Sequence, residues 1–262
     1  MMQLKNLRKR LLTGDCVLGT FLRINSPELV EIMGFAGFDF VVVDFEHGVM
    51  GIESLTHLVR AAETSGISPL VRVAQNRDID IFKALDSGAE GIVVPRVSSL
   101  DEARQAVAAA KFSPAGLRGA CPRVRAAHYT AIPSGEYFSV SNEKTCVVLL
   151  IESPEGIDAI PDILQVKGVD AVMIGASDLS HAAGVPGQLD HPLVQTKIKA
   201  VIESAKNHKT AVGLVARDVE EARKIIGEGV RFIVYSGDET IFYEACRSVR
   251  EFLKDDLKQS SN

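Results

Sequence analysis

Short runs rich in valine and isoleucine alternate with longer amphipathic stretches along the whole chain, and this alternation limits the fold more than any other feature. The runs are almost continuously apolar, which is typical of parallel strands covered on both faces. They occur at residues 17–22, 38–44, 69–73, 91–95, 146–151, 171–175, 211–215 and 231–235. Eight such units in 262 residues match the size of a (β/α)8 barrel, the TIM-barrel fold. A doubly wound open sheet is the competing fold, but no GxGxxG sequence follows the first strand.

The junctions between helices and strands favour the same fold. The sequences "IMGFAGFDFVVV", "ALDSGAEGIVVP" and "IIGEGVRFIVYS" each end an amphipathic stretch, turn through glycine and enter an apolar run. Glycine readily adopts the left-handed conformation that ends many helices, so each junction fits a helix-to-strand turn. We therefore predict a single α/β barrel domain over residues 1–262, with an N-terminal helix within residues 1–15 and a C-terminal helix and tail at residues 239–262.

One segment, residues 111–144, is too long for an ordinary connection between a helix and a strand. It contains the sequence "FSPAGLRGACPRVRAAHYT", in which glycine, proline and arginine are frequent. This composition predicts a loop insertion that covers or lines the functional site. A surface insertion with no part in the site is the alternative.

Composition excludes several classes of partner. The formal net charge is −5 and no long basic run occurs, so we expect no nucleic-acid partner. No apolar run reaches the roughly 18–20 residues that a membrane span needs. The N-terminus lacks a signal-peptide pattern, and the four cysteines are scattered without CxxC spacing. These features predict free thiols and a cytoplasmic location.

Charged and polar residues follow several of the predicted strands. In barrels of this kind function collects at the carboxyl ends of the strands, and a buried strand that stops in charges has reached a solvated cleft. The residues in question are Asp44, Glu46 and His47 after strand 2, Arg72 after strand 3, Glu152 after strand 5, and Gly175, Ser177 and Asp178 after strand 6. Carboxylates without nearby cysteine or paired histidine ligands suit a hard cation such as Mg2+ or Mn2+.

Each of these residues also has a structural interpretation. Glu152 and Asp178 could cap the helices that follow them, and Arg72 could pair with a helix carboxylate. His47 could bond only a loop backbone. Their common position after successive strands favours a shared site.

Six motifs of this chain resemble, in order and at compatible spacing, those of the HpcH/HpaI family of metal-dependent 2-oxo-acid aldolases. They are "VVVDFEHG", "VRVAQN", "KALDSGAEGIVVP", "GLRG", "LLIESPEGI" and "MIGASDLS", and the resemblance extends from about residue 18 to about residue 242. The family belongs to the phosphoenolpyruvate/pyruvate superfamily of barrels.

The resemblance implies a role for each site residue. Glu152 and Asp178 bind a divalent cation, Mg2+ or Mn2+, with Co2+ as a third candidate. His47 is the general acid–base group and is supported by Asp44, while Arg72 holds the pyruvyl oxygen. The backbone around Gly175, Ser177 and Asp178 receives the carboxylate of pyruvate.

The resemblance also implies an assembly. Asp86, in "KALDSG", matches a family position that reaches into the site of a neighbouring subunit. Members are typically hexamers, or trimers of dimers, that exchange their C-terminal helices. The segment "DETIFYEACRSVREFL" could supply that helix here.

This chain departs from the family pattern beside the pocket. Many members have the sequence Arg-x-x-Trp-Asn/Gly-Asp-Pro after strand 3, whereas here Gln75, Asn76, Arg77 and Asp78 follow Ala74. Leu150 stands where glutamine is frequent, two residues before Glu152. Because of these departures, the resemblance does not identify the acceptor aldehyde.

The residues and the resemblance together predict a class II aldolase that cleaves or forms 4-hydroxy-2-oxo acids, with a 2-oxo acid and an aldehyde as its small-molecule partners. A Schiff-base route is disfavoured because no lysine lies at any of the eight predicted strand ends. The alternatives are a malyl- or citramalyl-type thioester lyase of the same superfamily and an inactive barrel that binds small acids.

Overall fold

Eight parallel strands close into a barrel in the order of the sequence. The computed structural model describes residues 6–254 and residue 257. The strands are β1 (Val17–Leu22), β2 (Phe40–Asp44), β3 (Ser68–Arg72), β4 (Gly91–Val94), β5 (Cys146–Ile151), β6 (Ala171–Ile174), β7 (Ala211–Ala216) and β8 (Phe232–Gly237). The predicted (β/α)8 barrel is therefore confirmed, and all eight strands end on the same rim.

Helices separate the strands and cover the outside of the barrel. They are α1 (Leu7–Thr13), α2 (Pro27–Phe35), α3 (Ile52–Ser65), α4 (Asp78–Asp86), α5 (Leu100–Ala110), a 3-10 helix (Arg125–Thr130), α6 (Ser134–Lys144), α7 (Pro154–Asp158), α8 (Ile160–Ile163), α9 (Ala176–Ala182), α10 (Pro192–Ala205), α11 (Val219–Gly227) and α12 (Asp238–Phe252). Several begin at a side-chain cap; Ser99, for example, accepts from the backbone N–H of Glu102 at the start of α5. Across the part of the chain that the structure describes, no helix is long and apolar enough to cross a membrane.

The inside of the barrel is filled by side chains. Phe40 and Phe232 stack with their ring centroids 4.3 Å apart. A Cβ at Gly19 would lie 2.3 Å from the Phe40 ring, and one at Gly213 would lie 2.8 Å from the Phe232 ring. Because only glycine leaves room for the rings, these two positions allow the aromatic pair to cross the barrel.

Helix α1 closes the N-terminal end of the barrel. Leu7 and Leu11 are fully buried and belong to the apolar cluster inside the barrel. The backbone N–H of Leu7 donates to Glu90 Oε1 at 2.9 Å, and Arg8 Nε donates to Asp170 Oδ1 at 2.8 Å. With this end sealed, only the carboxyl ends of the strands can open onto a cavity inside the barrel.

The long insertion lies at that sealed end and is partly helical. Arg125 pairs with Glu63 at 2.6 Å, and Arg118 pairs with Asp86 at 2.6 Å. The segment joins the C-terminal end of α5 to the N-terminal end of β5, so it emerges on the side opposite to the strand carboxyl ends. None of residues 111–144 is among the residues that line the cavity at the strand carboxyl ends, and the predicted part of this insertion in covering or lining a site stays a prediction.

Helix α12 begins at the rim, directly after β8, and leaves its apolar face uncovered. Phe242, Tyr243, Val249 and Phe252 are 60–87% exposed. An apolar cleft of about 280 Å³ remains open beside α11, and Leu18, Val219, Ala222, Ile226 and Tyr235 are among its lining residues. Residues 1–5 of the predicted N-terminal segment, and residues 255, 256 and 258–262 of the predicted tail, lie outside the described residues.

Candidate active site

A cavity of about 440 Å³ opens at the carboxyl ends of the strands. Six of the residues singled out from the sequence line it: His47, Arg72, Glu152, Gly175, Ser177 and Asp178. Asp44 is fully buried at the end of β2, directly beside Arg72 in the register of β2 and β3. The structure thus brings together on one rim side chains that are up to 134 residues apart in the sequence (178 − 44).

Asp44 is the most heavily bonded side chain at this rim. Arg72 Nε donates to its Oδ1 at 2.9 Å, and Arg72 Nη2 donates to its Oδ2. Arg23 Nε donates to Oδ2 at 2.9 Å. Burial alone would raise the pKa of Asp44, but the hydrogen bonds and charge of Arg72, together with those from the His47 backbone and Arg23, outweigh it and lower the pKa.

Asp44 also holds the loop that carries His47. The backbone N–H groups of Glu46 and His47 both donate to Asp44 Oδ1 at 3.1 Å, in the turn that an aspartate side chain commonly makes with its following residues. Among the described residues, no hydrogen bond joins Asp44 to the imidazole of His47. Asp44 therefore holds the backbone beside His47, and its expected support of the imidazole itself stays a prediction.

Glu46 connects Arg72 to one further arginine, Arg96. Its Oε2 lies 3.3 Å from Arg72 Nη1, and its Oε1 lies 3.0 Å from Arg96 Nη2. Positive and negative side chains therefore alternate around the rim, in the order Arg96, Glu46, Arg72, Asp44, Arg23 and Glu239.

Sequence reasoning missed Arg23 and Arg96. Arg23 directly follows β1, and Arg96 follows β4 after Pro95. The signal that found the other residues, a polar side chain at the end of an apolar run, was present at both positions and would have found them.

Glu152 is held on two sides. Its Oε1 accepts from the backbone N–H of Arg96 at 2.9 Å. A Cβ at Gly175 would lie 2.5 Å from Glu152 Cβ and 2.9 Å from its Oε2, so only glycine allows this close approach. Burial, followed by the negative charges of Asp178 and Glu46, raises the pKa of Glu152 to about 7.

The capping alternatives for the two carboxylates do not hold. Helix α7 is capped by Ser153, whose Oγ accepts from the N–H of Gly156 at 3.1 Å, so Glu152 is not the cap. Helix α9 begins after Gly175 without a side-chain cap, so Asp178 is not one either. Both carboxylates are therefore available to the cavity.

These two carboxylates fit a divalent cation. The negative charge of Asp178 contributes, after burial, to the raised pKa of Glu152, and a bound cation would compensate both carboxylates. Within residues 6–254 and 257, no group of three or more histidine, cysteine, aspartate or glutamate side chains could hold a metal. Two protein carboxylates, completed by substrate and water oxygens, are a ligand set typical of Mg2+.

Asp86 is not part of this cavity. It is the last residue of α4, at the sealed end of the barrel, and it accepts from Arg118 Nη2 at 2.6 Å. Its expected role in the site of a neighbouring subunit stays a prediction.

The closed barrel and this rim define a (β/α)8-barrel enzyme in which an imidazole, an arginine and two carboxylates share one cavity. The sequence model of the HpcH/HpaI aldolase/citrate lyase family matches residues 18–245, and the chain belongs to that family.

Known relatives agree with this assignment. The chain is 34% identical over 237 residues to a 5-keto-4-deoxy-D-glucarate aldolase of Enterobacter sp. (strain 638), covering 90% of this chain and 92% of the relative. A crystal structure of an HpcH/HpaI aldolase/citrate lyase family protein from Burkholderia cenocepacia J2315 superposes with a TM-score of 0.90 at 30% identity, over 95% of this chain and 98% of that one. The citrate synthase SbnG superposes with a TM-score of 0.84 at 34% identity, over 98% and 99%. The chain is a carbon–carbon lyase.

We predict that Asp44→Asn lowers the free energy of unfolding by about 3–5 kcal/mol, the usual cost of removing one partner from a buried ion pair. Urea denaturation at neutral pH measures the change. Asp15→Asn is the matched control, because Asp15 pairs with Arg10 at an exposed position and should matter by less than about 1 kcal/mol. Equal free energies of unfolding of the two variants would contradict the stabilising role of the buried Asp44 ion pairs.

Proposed function

We propose that this chain is a class II aldolase that cleaves 4-hydroxy-2-oxo acids to pyruvate and an aldehyde, and forms them in the reverse direction. The observation that carries the proposal is the single cavity shared by His47, Arg72, Glu152 and Asp178. The membership of the family and the aldolase relatives support it.

Arg72 is suited to stabilise the oxygen that gains charge. Cleavage leaves the enolate of pyruvate, whose oxygen needs positive charge close by. Arg72 is 6% exposed and is held in place by Asp44 and Glu46 on separate nitrogen atoms. Its guanidinium therefore does not have to reorganise when the charge develops.

Glu152 and Asp178 would hold the divalent cation, Mg2+, Mn2+ or Co2+. When bound, such a cation supplies Lewis-acid stabilisation of the same enolate oxygen. Ser177 and Asp178 lie in the first turn of α9, where backbone N–H groups have no partner within the helix. These groups and Gly175 would receive the carboxylate of pyruvate.

His47 would accept the proton of the 4-hydroxyl group as the carbon–carbon bond breaks, and would return it in synthesis. Imidazole is the side chain best suited to such a transfer near neutral pH. No lysine is among the described residues that line the cavity, which favours this route over a Schiff base.

The remaining space of the cavity would receive the aldehyde. Phe21, Leu150, Leu189 and Val215 are among the apolar residues that line the cavity. Of the departures from the family pattern, Leu150 is thus the one in a position to affect substrate choice. Arg77 instead pairs with Asp80 at 2.8 Å beside the start of α4.

We further propose that the active form is a homo-oligomer, a hexamer in the family pattern. The exposed apolar face of α12 and the open cleft beside α11 support exchange of the C-terminal helix between subunits. The position of Asp86 supports it as well, because this side chain could reach a cavity only in another copy of the chain.

We expect exhaustive chelation to abolish cleavage of 4-hydroxy-2-oxo acids, and Mg2+ or Mn2+ to restore it. Glu152→Ala removes a ligand and a charge together, so this variant should retain no metal and no activity. Glu155→Ala, at an exposed position on α7, is the control and should behave as the wild type. Full activity after chelation, or inactivation by borohydride with pyruvate, would contradict the mechanism.

His47→Ala should lower the cleavage rate roughly 10²–10⁴-fold, the usual contribution of general acid–base catalysis. Metal content and melting temperature, measured on the same preparation, should stay at the wild-type values. His57→Ala on the exposed face of α3 should leave the rate unchanged. Unchanged turnover in folded, metal-loaded His47→Ala protein would leave His47 with a structural role only.

Co-expression of two inactive variants tests the oligomer. His47→Ala and Asp86→Asn chains should regain activity when mixed, because hybrid oligomers combine an intact His47 with an intact Asp86 of the neighbour. A mixture of His47→Ala and Glu152→Ala is the control, since no cavity in it is complete. Activity that does not exceed that of the separate variants would show that Asp86 does not act between subunits.

A further inference from the structure

Arg96 has an unusual backbone conformation beside the active site. It follows Pro95 at the end of β4 and has a φ of 56°, in the left-handed region. Residues other than glycine rarely adopt this conformation, and among them asparagine, aspartate and histidine are the more frequent ones. Strain of this kind persists where the surroundings fix it, often at functional sites.

The left-handed conformation directs the backbone N–H of Arg96 to Glu152. The distance from this nitrogen to Glu152 Oε1 is 2.9 Å. With Oε1 engaged, and with the bare Cα of Gly175 next to Oε2, the carboxylate plane of Glu152 is fixed. Oε2 is the oxygen beside Gly175, a residue of the cavity lining, and no described residue donates a hydrogen bond to it.

The side chain of Arg96 serves a different partner. It is 73% exposed, and its Nη2 lies 3.0 Å from Oε1 of Glu46, which is only 7% exposed. The other oxygen of Glu46 lies 3.3 Å from Arg72 Nη1. The guanidinium of Arg96 therefore compensates a carboxylate that would otherwise be buried against Arg72 alone.

We propose that Arg96 is a positioning residue with two separable contributions. Its left-handed backbone orients the metal ligand Glu152, and its guanidinium holds Glu46 against the oxyanion-binding Arg72. The inference rests on the proposed metal-dependent function. Partners of metal ligands commonly affect metal affinity or activity 10–100-fold, which sets the size of the expected effects.

Substitutions at position 96 separate the two contributions. Arg96→Gly and Arg96→Asn remove the guanidinium but keep a residue that tolerates a positive φ. Arg96→Val removes the same charge and brings a β-branched side chain that this conformation excludes. Arg96→Ala also removes the charge, and alanine tolerates a positive φ less well than glycine but better than valine. Arg96→Lys keeps the charge.

The first measurement is Mn2+ affinity of the purified protein by electron paramagnetic resonance, without substrate. Arg96→Gly and Arg96→Asn should bind within about 3-fold of the wild type. Arg96→Val should bind roughly 10–100-fold more weakly, with Arg96→Ala between. Because all four variants lose the same charge, a difference among them reports on the backbone.

The second measurement is metal-dependent proton exchange of pyruvate. Loss of the guanidinium in Arg96→Gly should raise the KM for pyruvate about 10-fold, and Arg96→Lys should recover part of this loss. Arg104→Gly and Arg104→Val, on the exposed face of α5, control for loss of a surface arginine and should change neither quantity. Melting curves establish that every variant is folded.

The outcomes are distinct. Equal Mn2+ affinity of Arg96→Val and Arg96→Gly would overturn the backbone contribution, and an unchanged KM in Arg96→Gly would overturn that of the side chain. Wild-type protein that binds no Mn2+ would refute the proposed metal site itself, before any comparison of variants.

Discussion

The ion pair between Asp44 and Arg72 is the interaction on which the rim depends. Asp44 is fully buried, and a buried carboxylate is tolerated only when charge and hydrogen bonds compensate it. Arg72 from β3, Arg23 after β1 and the backbone of the turn after β2 all supply that compensation. One side chain thus ties three neighbouring strand ends together and fixes the loop that carries His47.

The pairing divides the carboxylates at the rim into two kinds. Asp44 lies among arginines and has a lowered pKa, whereas burial and the charge of Asp178 raise the pKa of Glu152 to about 7. A carboxylate of the first kind holds structure, because its charge is already compensated. The charge of a carboxylate of the second kind, such as Glu152, is not compensated by the protein. A cation-binding site requires such a carboxylate.

The two ends of the barrel have different tasks. Helix α1 seals one end with Leu7, Leu11 and the pair of Arg8 with Asp170, and the insertion packs beside it. The other end holds the cavity. Asp86 lies at the sealed end, so any part it takes in the chemistry would require a second copy of the chain, with α12 as the element most exposed for such contact.

The sequence by itself determined the barrel and six of the residues that line the cavity. Nearly continuous apolar runs identify parallel strands, and parallel strands all end on one rim, so residues such as Glu152 and Asp178 must meet. The sequence did not determine which residues contact one another. Arg96 and Glu46 are 50 residues apart, and Arg23 and Asp238 are 215 apart, so only the closed barrel shows that they touch. The same holds for Asp44, which a local reading pairs with the nearby imidazole but which binds Arg72 from the adjacent strand. The positive φ of Arg96 was likewise decided by tertiary structure, because it follows from how distant segments pack and not from local periodicity.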